Sequence, residues 1–135
     1  MARAKGAKSQ LLMCFESTYN TTPTTPTAIK MPIISSAVKS TQNLIDSAVI
    51  TGRRDPTPPA RGNIDVSGSV EVPIEEVGIG HWLKLGFGAP TTTGSADPYT
   101  HIFKIGDSQP SAVLEQGFTD IAAYELFNGV KMSKL

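Results

Sequence analysis

The chain has 135 residues, twelve basic and twelve acidic, and one cysteine. That length suits one ordinary domain, which buries roughly two-thirds of its unfolded surface, and the lone Cys14 excludes an intrachain disulfide. Zero net charge argues against a nucleic-acid-binding domain, which carries a basic excess. Apolar runs stay far below membrane-span length. The apolar stretch 11–15 behind Arg3, Lys5 and Lys8 is too short for a signal peptide, so synthesis in the cytoplasm is expected.

Charge is uneven along the sequence. Residues 1–62 hold eight basic and three acidic residues, and residues 63–135 hold four and nine. One reading is a well-mixed surface. The other is a pair of opposite-sign patches that draw copies together head to tail.

In chain order, residues 1–9 are expected as a flexible basic arm. Residues 10–135 are expected as a single β-rich domain. Residues 10–19 fit a strand or a short helix, and Cys14 within them reads as a small buried hydrophobe. The Thr/Pro run 19–27 is extended loop. Residues 28–39 read as a short extended segment at a sheet edge because of Pro32, and 44–50 show no decisive period. Residues 51–62 hold three prolines and two glycines and read as a long loop, carrying Arg53, Arg54 and Arg61.

The clearest signal follows. Ile64, Val66, Gly68, Val70, Val72 and Ile74 alternate with Asn63, Asp65, Ser67, Ser69, Glu71 and Pro73. Such alternation predicts a long strand with one buried and one wet face. Residues 75–87 break the period and predict one short helix packed on a sheet, with Glu75 and Glu76 at its start. A loop over 88–98, strands over 99–105 and 111–118, and a hairpin closed by Asn128-Gly129 complete the expectation. The chain stops at Leu135 inside an expected strand, which suggests that the domain continues beyond residue 135.

Chemistry is sparse. His81 and His101 fall on separate elements without a supporting ligand cluster, so both read as structural or surface residues. Gly78-Ile79-Gly80 fails the dinucleotide-loop pattern because Leu83 stands where the third glycine belongs. No cofactor, metal site or catalytic group is expected. The polar residues Asn63, Asp65, Ser67, Ser69 and Glu71 include no cation, so this set would not grip phosphates.

Several stretches resemble the tail tube (major tail) proteins of long, non-contractile bacteriophage tails. They are residues 60–72, residues 78–84, Tyr99-Thr100-His101-Ile102-Phe103, Glu115-Gln116-Gly117-Phe118-Thr119-Asp120, and Tyr124 through Asn128-Gly129-Val130-Lys131. The resemblance implies a mainly β chain with one short helix (α+β), as an antiparallel β-sandwich or half-open barrel. It implies hexameric rings whose inner wall is a continuous sheet, stacked into a hollow conduit for phage DNA in the virion. It also implies other tail proteins as partners, such as tape measure, terminator and distal tail proteins, with DNA passing through unbound and no membrane involved. On this reading the polar residues 63–71 face the lumen, and Arg53, Arg54 and Arg61 reach an acidic surface on the next ring. The alternatives are a head–tail connector or tail completion ring protein, and a carbohydrate-binding adhesion β-sandwich. Trp82, on an expected buried helix, argues against the last.

Overall fold

The computed structural model describes residues 3–50, 52, 54–55 and 57–135. They form β1 (Ser9–Phe15), β2 (Ile29–Met31), β3 (Ser35–Ser36), β4 (Lys39–Ile45), β5 (Ala60–Ser67), β6 (Val70–Glu71), α1 (Gly78–Phe87), β7 (Thr91–Thr93), β8 (Thr100–Ile102), β9 (Ala112–Phe118) and β10 (Ala123–Val130). The chain is mainly β with one helix, and every strand pair is antiparallel. The backbone falls into two compact units, residues 1–34 with 72–135, and residues 35–71.

The first unit is built on a four-stranded sheet in the order β10-β9-β1-β2. Cross-strand partners share a face. Leu11 therefore lies beside Met31 and Gln116, and Met13 beside Ile29 and Leu114, with Phe127 next in line. Leu11, Met13, Met31 and Leu114 are buried, and each such side chain contributes about 1.5–3 kcal/mol by leaving water.

Helix α1 covers this face. Trp82 and Leu85, three residues apart and so on one side of the helix, are both buried. Phe15 meets it, with its ring centroid 6.4 Å from that of His81 and the Lys84 Nζ 4.3 Å above the Phe15 ring. Gln109 Nε2 donates to the carbonyls of Leu85 and Met132 at 3.2 and 2.6 Å, which ties the helix to the chain after β10. The helix stops at Gly88, whose φ of 103° lies in a region L side chains avoid. Glu75 and Glu76 precede the N-cap residue Val77.

Leu12 and Cys14 point to the opposite face, where the Thr/Pro loop lies over them. A cleft of about 170 Å³ remains between Pro23, Pro26 and Ala28 of the loop and Leu12, Val113 and Leu126 of the sheet. Both faces of β1 are therefore lined by protein. This explains why residues 11–15 form an unbroken apolar run rather than an alternating one, and Cys14 is buried as expected. Of residues 1–9, Gly6–Lys8 form a 3-10 turn, and the Lys5 N–H donates to Asp120 Oδ2 at 3.0 Å. Strands β7 and β8 make a small hairpin in which Thr92 Oγ1 lies 2.8 Å from His101 Nδ1. β7 lies in the expected loop 88–98.

The second unit is a two-stranded ribbon. β4 pairs with β5, and β3 pairs with β6. The ladder is broken near Gly68-Ser69, where the Ala37 N–H donates to the Ser69 carbonyl at 2.8 Å. The expected strand 63–74 is thus two strands that begin earlier and end at Glu71. Ala60 and Arg61 pair with Ile45 and Leu44, so the end of the expected loop 51–62 belongs to β5.

Two further expectations need correction. The apolar face of β5 is not buried within the chain. Ile64 is 65% exposed and Val66 44%, because a two-stranded ribbon offers no second layer to cover it. Asn128-Gly129 is not a hairpin turn. It lies inside β10, where Phe127 pairs with Leu114 and Val130 with Ala112, leaving two residues opposite Val113. That is a β-bulge, and Gly129 takes the positive φ of 68° that the bulge needs.

Candidate assembly surface

The register of the ribbon sorts its side chains. Ser40, Gln42 and Leu44 of β4 share a face with their partners Val66, Ile64 and Arg61 of β5. Lys39 and Thr41 share the other face with Ser67 and Asp65. The register shifts between Gln42 and Leu44, where Asn43 stands opposite Gly62 and Asn63. Glycine suits this bulge, because a Cβ on Gly62 would displace the Asn43 side chain and lie 3.1 Å from the Asn43 carbonyl oxygen. Gln42 Nε2 donates to the Gly62 carbonyl at 2.7 Å and fixes the bulge.

The bulge changes where Arg61 sits. Simple alternation would put it with Asn63 and Asp65, whereas the shifted register puts it beside Leu44. One face of the ribbon is therefore an exposed apolar stripe, Leu44, Ile64 and Val66, with Arg61 at its end. The apolar members on β5 were legible in the sequence. Leu44 was not, because β4 alone shows no alternating pattern.

Asn63, Asp65, Ser67, Ser69 and Glu71 are all exposed. Asp65 and Ser67 share a face with Thr41, and Thr41 Oγ1 donates to the Asp65 carbonyl at 3.4 Å. Glu71 accepts from Ser35 Oγ at 3.0 Å. This polar face is not free of cations, since β4 contributes Lys39 directly opposite Ser67. Of the three arginines, Arg54 is exposed in the loop and Arg61 lies in β5, while Arg53 lies outside the described residues.

The charge split along the sequence does not follow the structural units. Residues 35–71 contain Lys39, Arg53, Arg54 and Arg61 against Asp46, Asp55, Asp65 and Glu71, so the ribbon is neutral, and the rest of the chain is neutral too.

On the first unit, β10 is an eight-residue strand at the edge of the sheet, with no strand on its outer side among the described residues, and it exposes Tyr124 and Leu126. An unpaired edge of that length is a template for another strand. The bulge at Asn128-Gly129 is held by the segment after β1. Glu16 Oε1 accepts from the Gly129 N–H at 2.8 Å, and Thr22 Oγ1 donates to Asn128 Oδ1 at 3.0 Å.

Among the described residues, no group of three or more His, Cys, Asp or Glu side chains is placed to hold a metal ion, and no helix is long and apolar enough to cross a membrane. The features that stand out are surfaces: an amphipathic ribbon and an open sheet edge.

The sequence matches the family model of the phage tail tube protein over residues 6–135. The chain belongs to that family. No curated protein matches it. Phage tail tube proteins are structural components of the virion tail that assemble with copies of themselves and with other tail proteins. Membership gives the exposed stripe and the open edge a context, since a subunit destined for assembly carries surfaces that its own chain leaves uncovered.

Proposed function

We propose that the chain is the repeating subunit of a siphovirus-type tail tube, made in the host cytoplasm and closing into homohexameric rings that stack into a conduit for DNA ejection. The observation that carries this reading is the exposed stripe Leu44, Ile64 and Val66 on a ribbon whose opposite face carries Lys39, Thr41, Asp65 and Ser67, with Ile45 and Ala60 at one end. Two-stranded ribbons are marginal alone, and burying such a stripe against a neighbouring subunit adds the missing layer. The edge strand β10 supplies a second contact by pairing with a neighbour, which also removes an aggregation-prone edge.

In the assembled tube, the residues Asn63, Asp65, Ser67, Ser69 and Glu71 face the lumen. Lys39 leaves this surface close to balanced, so that DNA slides without being held. Arg53, Arg54 and Arg61 reach toward acidic groups of the next ring, and tape measure, terminator and distal tail proteins meet the tube along its bore and at its ends. Negative-stain micrographs of purified protein test the reading. Tubes of stacked rings are expected, whereas single rings that never stack would indicate a connector or tail completion protein instead.

A further inference from the structure

The dipeptide Asn128-Gly129 is chemically unstable in most settings. The Gly129 nitrogen attacks the Asn128 side-chain carbonyl carbon, the new N–Cγ bond forms, the nitrogen gives its proton to solvent, and ammonia leaves. Water then opens the resulting succinimide at either carbonyl, leaving aspartate or isoaspartate. Glycine following asparagine favours this reaction because no side chain hinders the attacking nitrogen.

The fold cannot discard that glycine. Gly129 has φ of 68° at the β10 bulge, and a Cβ there would lie 3.2 Å from the Tyr19 ring. Both reacting groups are, however, engaged. The Gly129 N–H donates to Glu16 Oε1 at 2.8 Å, and Asn128 Oδ1 accepts from Thr22 Oγ1 at 3.0 Å. Glu16 is itself fixed, because its Oε2 accepts from the Asn20 N–H at 3.0 Å and from Ser111 Oγ at 2.5 Å. Asn128 also lies within strand β10, whose pairing with β9 on both sides of the bulge, Phe127 with Leu114 and Val130 with Ala112, limits the backbone rotation that ring closure needs.

We propose that Glu16 and Thr22 form a lock that suppresses deamidation of Asn128 in the folded protein. Ring closure requires the Gly129 N–H to leave the carboxylate and the Asn128 amide to turn away from Thr22. Breaking one charge-assisted hydrogen bond alone slows the reaction roughly ten- to a hundredfold. The lock protects a strand edge whose damage would be serious. Aspartate would place a second carboxylate near Glu16, and isoaspartate would add a backbone atom inside β10. This inference stands independently of tube assembly.

The experiment follows deamidation at Asn128 by peptide mass spectrometry in folded protein and in protein unfolded in urea, at one pH and temperature. The folded chain should react at least about tenfold more slowly. Folded Glu16→Ala should react faster than wild type. Glu16→Gln keeps an acceptor oxygen but cannot take a proton, so it should react no more slowly than wild type. The proposal is overturned if folded and unfolded wild-type chains react equally fast, or if folded Glu16→Ala matches wild type. It is also overturned if Glu16→Gln slows the reaction, since the carboxylate would then act as a base that promotes ring closure. The wild-type comparison stands even if the alanine variant does not fold.

Discussion

Glu16 Oε1 accepts a hydrogen bond from the backbone N–H of Gly129 at 2.8 Å, although the strands before and around these residues, β1 and β10, are not neighbours in the sheet. The intervening strand β9 is included, because Ser111 just before it donates to the other oxygen of the same carboxylate. One side chain therefore ties three strands at one end of the sheet. Replacing it with alanine leaves a half-buried bulge N–H without its acceptor, which costs about 1–3 kcal/mol. Urea unfolding of Glu16→Ala should show a lower midpoint with an unchanged slope, and Glu16→Gln should lose less.

Glycines in this chain are not interchangeable, and two alanine substitutions should move stability in opposite directions. Gly129→Ala forces a residue with a Cβ into the left-handed region and against Tyr19, at a cost of about 1–2 kcal/mol. Gly80→Ala lies in α1 with nothing within 4 Å of the new Cβ, and should gain up to about 1 kcal/mol from helix propensity. Thermal unfolding of the two variants side by side checks both signs.

Core and stripe should respond differently to truncation. Leu11→Ala and Leu85→Ala remove fully buried side chains and should cost about 2–5 kcal/mol in the unassembled chain. Ile64→Ala acts on an exposed residue and should change the stability of that chain by less than about 0.5 kcal/mol. The paired variant Leu44→Asp with Ile64→Asp should stay folded by circular dichroism yet fail to assemble in sedimentation velocity runs. Normal assembly of that variant would remove the stripe from the interface.

Under the proposed function, the polar face of the ribbon meets passing DNA. Asp65→Lys combined with Glu71→Lys adds cations beside Lys39, and cations bind phosphate strongly. Particles built with this variant should eject DNA more slowly, with the delay shrinking as salt rises, in a fluorescence ejection assay.

The parts of this fold legible in the sequence were those whose pattern is local. Ile64 and Val66 announce a strand because alternation needs one strand only, and the dense apolar residues 77–85 announce a helix. The parts that depend on partners were not legible. β1 has no period because α1 covers one of its faces and the Thr/Pro loop lies over the other. Leu44 joins the stripe, and Arg61 leaves the polar face, only through the register shift opposite Asn43. Asn128-Gly129 carries a strong hairpin signal, yet the same positive φ at glycine serves a bulge equally well, and here β10 stays paired with β9 on both sides of the dipeptide while Glu16, more than a hundred residues away, accepts from the bulge N–H. The charge split along the sequence vanished for a similar reason, since the ribbon takes its four bases from the first half and two of its four acids, Asp65 and Glu71, from the second.

The central claim is that this chain builds a tube from copies of itself. The most direct test is negative-stain electron microscopy of the purified wild-type protein at rising concentration. Hollow tubes of stacked sixfold rings are predicted, and they should be absent for Leu44→Asp with Ile64→Asp. A wild-type protein that stays monomeric at every concentration, with no rings and no tubes, would contradict the account.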